Sequence, residues 1–506
     1  MAFLFRFWLI KTLPGGLFPD EAANGLDVNS ILDGDVQPFY ERGNGREALF
    51  FYFLAAVVAA FGRGPWQHHI VSAGFGLAAV IATYFLTKRM FGKNTALLAA
   101  FFMAVSSYAV TVTRTAFRAN LVPFFATMAI LFTVRFFQDK KHKYLNAILA
   151  GGFFGLGFYT YTSFRMMLAL AIGFKILLLL ASRDKVRQIF AKFWRYKLAA
   201  AGAFALTMLP LAGYFLTHPG SLVGRAGQVS IFSPALNHGD VAGTFLGVFR
   251  QTIVSFFAYG DLNWRHNVSG YAFLSPLISP FFAVALIVFT VAGFQLLKQA
   301  WHRQIKEQTF YMALVAAWFW LMLVPEITTA EGIPHGLRLI GVMPAIFILP
   351  AWAVNRLWQK IKSYNYRDAR AVIAIIFLSA VFLYNFYLYF GVAAGSPEYY
   401  YAFRSDLTAV SEYLNSRNKK ETTYLSLDKF SVQTVDYLTT ATNNPYLLVD
   451  PAHTYEVKLK KGDQVVFTMS TLYDQTKFSQ THRRAQLVRE ERNQFGQIIM
   501  LVYEQP

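Results

Sequence analysis

The sequence predicts an all-α polytopic membrane protein, with about eleven transmembrane helices plus interfacial helices, followed by a small C-terminal α/β domain. Three observations carry this expectation. Of the 506 residues, 55% are hydrophobic and only 15% charged, against roughly 25% charged in soluble domains. Ten apolar runs approach the length of about 20 residues that a membrane crossing needs. After Gly395 the apolar runs shorten and the composition becomes that of a soluble domain.

The runs lie near 66–86, 95–112, 121–137, 145–161, 166–182, 198–216, 274–297, 309–325, 339–354 and 371–391. The start, Met1 to Leu13, is apolar but short for a crossing and reads as a truncated or tilted first helix. Ala48–Phe61 is shorter still and fits an interfacial or re-entrant helix. With that segment not crossing, the basic residues alternate cleanly. Lys88, Arg89 and Lys93, then Arg135 to Lys143, Arg183 to Lys197, Lys298 to Lys306, and Arg356 to Arg370 fall into five short loops. The positive-inside rule makes these loops cytoplasmic, placing the N-terminus inside and the C-terminus outside.

Two domains follow: 1–395 in the membrane, and 396–506 soluble and extracytoplasmic. In the second, Leu407, Val410, Tyr413 and Leu414 mark one helix face. Tyr424–Leu427, Tyr446–Val449 and Val465–Met469 read as strands. Gln486–Val488 and Ile498–Tyr503 read as a hairpin around Asn493–Gly496. No nucleophile–base pair or phosphate loop is present there, so a capping or acceptor-contacting role is expected.

The net charge of +19 does not imply nucleic acid. From Gly395 onward there are 13 Lys/Arg and 13 Asp/Glu, so the whole excess sits between apolar runs. That is loop charge, and no nucleic-acid partner is expected. There is no Cys, which excludes disulfides and thiolate metal sites.

The chemistry concentrates in the opposite loops: Leu17–Glu47, Thr113–Asn120, Tyr159–Arg165, Thr217–Tyr271 and Glu326–Arg338. The long loop includes Gly243–Tyr259, an aromatic run suited to the membrane plane. The first loop carries Asp20 and Glu21 after Pro19, then five further acids. Asp20 has two readings: a cap of a short helix, or a general base that takes the proton from an incoming hydroxyl. Arg114, Arg118, Arg165, Arg265 and Arg338 lie in these loops, each close to Tyr, Trp, His or Asn, with His266 and His335 beside the last two. Snorkelling explains an arginine on either side of a membrane, whereas external arginines oppose the orientation bias. As a set they suggest phosphate recognition. His68-His69, and His335 with Glu331, have no spacing that matches a strong metal motif, so no metal site or cofactor is assigned, although a divalent metal is not excluded.

The Asp20-Glu21 pair in a first external loop, the interfacial Ala48–Phe61 and the basic-ended helix Pro65–Asn94 together resemble the GT-C glycosyltransferases. The likeness is to the family 39 group of protein O-mannosyltransferases and bacterial aminoarabinose transferases. Thr113–Asn120 resembles that group's next external loop, and Gly336–Pro344 its late Arg-to-Pro segment. The likeness spans most of residues 17–355 through short motifs. It implies a GT-C-type fold and inverting transfer from a polyprenyl-phosphate sugar, with Asp20 matching the catalytic carboxylate and Glu21 beside it. The implied partners are that donor, the membrane lipid and an acceptor not identified by the sequence. Asn120 departs from the pattern, standing where many relatives have an acid, and the first helix is short. Two rivals remain: a transporter or flippase of lipid-linked sugars, which would carry more ionisable residues deep within helices, and a ligase or oligosaccharyltransferase using a diphosphate donor.

Overall fold

The computed structural model describes every residue except 44, 183–185, 223–228, 362–366, 418–420 and 444, and no side chain at 186–191, 222 or 367–370. Arg183, Lys185 and Lys362 of the expected cytoplasmic loops therefore lie outside the described residues. Contacts divide the chain into two compact units. One comprises Met1–Trp8, Gln37–Phe50 and Ser72–Ala393; the other comprises Leu9–Val36, Phe51–Val71 and Ala394–Pro506. The last segment starts at Ala394, where the sequence reading places the second domain at 396–506, and two N-terminal segments join the same unit.

The first unit is helical. Together with Pro65–Phe91, whose first turns belong to the other unit, it supplies eight helices long and apolar enough to cross a membrane among the described residues. A ninth crossing is formed if Lys93–Val105 and Ser107–Arg114, bent by 58°, count as one. The expected eleven are not reached because two candidates are short. Ala2–Phe7 has six residues. Lys143–Gly157 has fifteen, about 22 Å at 1.5 Å per residue, against a hydrocarbon core of about 30 Å. That helix packs closely on Val186–Thr217: a Cβ on Gly151 would come within 2.1 Å of the Ala200 carbonyl oxygen, and one on Gly155 within 1.9 Å of Thr207 Oγ1. Leu49–Phe61 and Val241–Val254 are shorter apolar helices, as expected of interfacial segments.

The bend at Ser106 interrupts what the sequence presents as one run. Ser106 caps the following helix, its Oγ accepting from the Ala109 N–H at 3.3 Å, and Asn385 Oδ1 accepts the Ser107 N–H at 2.9 Å. The carbonyls that the break frees at Met103 and Ala104 accept from the Arg6 guanidinium at 3.2 and 3.0 Å. Every orphaned backbone group at such a break needs a partner in a water-poor environment.

In the second unit a five-stranded sheet runs in the order Leu447–Val449, Thr423–Ser426, Gln464–Thr468, Ile498–Glu504, Gln486–Arg492. The first three strands are parallel, and the last two form the antiparallel hairpin expected from the sequence. Alternation sorts the side chains. Leu425, Val466, Met500 and Val502 pack with Leu407, Val410 and Leu414 of the helix Ser405–Ser416, while Val465, Phe467, Leu501 and Tyr503 enclose Phe478 on the other face. Helix Pro19–Leu32 belongs to this unit and packs on Val432–Thr439. A Cβ on Gly25 would lie 2.5 Å from the Tyr437 ring, so only glycine permits this approach.

Candidate active site

The carboxylate pair opens the helix Pro19–Leu32. Pro19 stands in the first turn, where its missing N–H costs nothing. Asp20 and Glu21 face the positive end of the helix dipole. Their environments differ sharply. Glu21 is fully buried; its Oε2 accepts the Phe18 N–H at 2.9 Å, and its Oε1 lies 3.4 Å from His69 Nε2, also fully buried. Asp20 is exposed. The reach back to the backbone that a capping carboxylate makes is thus made by Glu21. Of the two, Asp20 is the one presented to solvent.

In the other unit the arginines recur in one local device. Short 3-10 turns open three apolar helices, and each turn carries an arginine. Arg118 begins Arg118–Leu121 before Val122–Gln138, Arg165 ends Thr162–Arg165 before Met166–Ala181, and Arg338 begins Arg338–Val342 before Met343–Ile361. The turns at Thr162–Arg165 and Arg338–Val342 are neighbours. Arg118 Nε lies 3.0 Å from Glu47 Oε2, and its guanidinium is 5.4 Å from the centre of the Tyr161 ring. Arg165, Arg265 and Arg338 are half-buried.

Arg114 departs from the set. It is fully buried, its NH1 donates to the Phe5 and Trp8 carbonyls at 3.0 and 2.8 Å, and its guanidinium lies over Tyr389 at 5.2 Å. It ties the end of the first helix to Ser107–Arg114 rather than facing a phosphate. Asn120, where an acid was expected from the family pattern, spends its amide on the Val112 and Thr115 carbonyls at 2.9 and 2.6 Å.

His266 and His335 come together, with ring centres 4.3 Å apart. Asp261 joins them. Its Oδ2 accepts from His266 Nδ1 and from the Gly336 N–H, both at 2.8 Å, and its Oδ1 accepts the Asn263 N–H at 2.7 Å. Glu326 Oε1 accepts the His335 N–H at 2.7 Å. Burial lowers the pKa of His335 well below its ordinary value, and nearby His266, Arg338 and Arg265 push the same way. Burial also lowers His266, outweighing the opposing pull of Asp261. Both shifts favour the neutral imidazole. Asp261, His266 and His335 each offer one ligand atom, all within 4.8 Å of one another, and neutral imidazole with carboxylate suits a divalent cation. The sequence assigned no metal here, because two loops separated by about seventy residues supply the group. Asp261 and Glu326 belong to no recognisable motif in the sequence. The Asp261–Asn263 turn, in a run that continues to Arg265-His266, was the available signal.

A family model described as dolichyl-phosphate-mannose-protein mannosyltransferase matches residues 48–212. No curated protein sequence matches the chain. Among solved structures, ArnT from Cupriavidus metallidurans bound to undecaprenyl phosphate is similar over 99% of this chain and 96% of its own, with 11% identity and a TM-score of 0.57. Its apo form gives 12% identity and a TM-score of 0.51, over 96% of this chain and 93% of its own. The archaeal oligosaccharyltransferase AglB from Archaeoglobus fulgidus, in complex with an inhibitory peptide and a dolichol-phosphate, is similar over 97% of this chain and 70% of its own, with 11% identity and a TM-score of 0.50. Residues 48–212 thus match the mannosyltransferase family model, and the chain shares the fold of ArnT along nearly its whole length.

Proposed function

We propose that the protein transfers a sugar from a polyprenyl-phosphate donor to an acceptor hydroxyl at the extracytoplasmic face of the membrane, with inversion. The observation that carries this is the repeated arginine-bearing turn at the head of three apolar helices. Such turns set guanidinium groups at a membrane surface, where a lipid phosphate can accept forked hydrogen bonds. The bound undecaprenyl phosphate and dolichol-phosphate of the two structural neighbours are ligands of that chemistry.

In the reaction the acceptor oxygen attacks the anomeric carbon, and the bond from that carbon to the phosphate oxygen breaks. The polyprenyl phosphate leaves with the electron pair, and a carboxylate takes the hydroxyl proton. Asp20 is our candidate for that base, since it is the solvent-exposed member of the pair. Arg118, Arg165, Arg265 and Arg338 are our candidates for stabilising the charge that grows on the phosphate. A single displacement inverts the anomeric centre.

Asp20→Asn tests the base. It keeps the side chain's size and should lower turnover at least ~100-fold with donor binding retained. Unchanged turnover would remove Asp20 from the mechanism.

A further inference from the structure

A second polar site lies at the other end of the same helices. Helix Met343–Ile361 follows the turn that begins at Arg338 and carries Trp352, Asn355 and Arg356 toward its far end, about 27 Å from Arg338 at 1.5 Å per residue. Arg89 closes Pro65–Phe91. Glu307 opens the helix that ends near Glu326. These residues line one cavity of about 340 Å³.

Its charges are unevenly committed. Arg89 NH1 is held by Asp139 Oδ1 at 2.7 Å. Glu307 Oε1 accepts from the Tyr311 hydroxyl at 2.8 Å. Asn355, buried, donates to Thr95 Oγ1 at 2.9 Å. Arg356 makes no ion pair among the described residues and lies over the Trp352 ring at 5.5 Å. The Trp352 indole N–H is buried without a hydrogen-bond partner, a state that is unfavourable unless an acceptor arrives. A loop charge kept only for orientation needs neither a cavity nor an unsatisfied donor beneath it.

We propose that this cavity binds the head group of a membrane phospholipid, its phosphate accepting from Arg356 and from the Trp352 N–H. The Glu307 carboxylate makes the site mixed in charge, which suits a head group bearing an amine beside its phosphate. By the placement of Lys88, Arg89 and Arg356 this is the cytoplasmic leaflet, the one opposite to the arginine-bearing turns. The inference does not depend on which sugar donor the enzyme uses.

The test is equilibrium binding of dilauroyl phosphatidylethanolamine to the full-length protein in maltoside micelles, read as lipid-bound species by native mass spectrometry. Wild type should retain one lipid. Arg356→Gln, at an exposed position, and Trp352→Phe, which keeps a ring against Phe289 (5.0 Å between ring centres), should each weaken retention about tenfold, the loss of one hydrogen bond to a charged group. Retention unchanged in both variants would overturn the proposal. Full competition by millimolar inorganic phosphate would identify a soluble phosphate as the ligand and overturn the lipid assignment.

Discussion

Arg114 and Arg118 show what a single residue reveals and what it withholds. Four apart in one loop, they look equivalent in the sequence. One is buried against the Phe5 and Trp8 carbonyls, and the other pairs with Glu47 and lies by Tyr161. Their roles depend on what the rest of the chain packs against each face, which no local pattern contains. Asp261 was hidden for the same reason: its partners His266 and Gly336 come from separate loops. Removing its charge tests that network. Asp261→Asn leaves the His266 Nδ1–H and the Gly336 N–H with a weaker acceptor and should lower stability by about 1–3 kcal/mol, measured as a fall in the thermal unfolding midpoint of the purified protein. An unchanged midpoint would contradict the buried network. Arginine chemistry gives a second residue-scale expectation. Arg338→Lys and Arg118→Lys keep the charge but lose the planar fork, and should weaken donor use. Full activity in both would contradict the phosphate assignment.

Elements were more legible than residues wherever length and apolar composition alone fixed them. The runs at 121–137 and 309–325 appear as helices within a few residues, because about 20 apolar residues have few other uses. The break at Ser106 was not legible, since a lone serine is neutral in an apolar run; the bend depends on Asn385 and Arg6, far away in sequence. The glycines of Lys143–Gly157 mark a packing face. Gly151→Leu would drive a side chain into the Ala200 carbonyl and should destabilise by at least about 1–3 kcal/mol. Gly152→Ala, where a Cβ meets nothing within 4 Å, should be close to neutral. Comparable unfolding midpoints for the two variants would contradict the close packing of this pair.

For the molecule as a whole, the central expectation of the sequence is its orientation. The chain has no Cys, so single cysteines report sidedness without background. Lys141→Cys should react in intact cells only with a membrane-permeant reagent, whereas Leu262→Cys and Lys461→Cys, all at exposed positions, should react with an impermeant one. Labelling of Lys141→Cys and Leu262→Cys from the same side would contradict the topology. The C-terminal sheet was legible because its strands alternate or run wholly apolar between polar turns. The recruitment of Leu9–Val36 and Phe51–Val71 to the same unit was not, because the Gly25–Tyr437 approach pairs residues 412 apart.

The measurement that bears most directly on the proposed chemistry is transfer by the purified protein from chemically defined donors. A polyprenyl-monophosphate sugar should yield an inverted glycoside and free polyprenyl phosphate. A nucleotide-sugar supplied without lipid should yield nothing, because the arginine-bearing turns stand at the heads of apolar helices and the sequence contains no glycine-rich nucleotide-binding motif. Turnover with the nucleotide-sugar in the absence of any lipid donor would contradict the account.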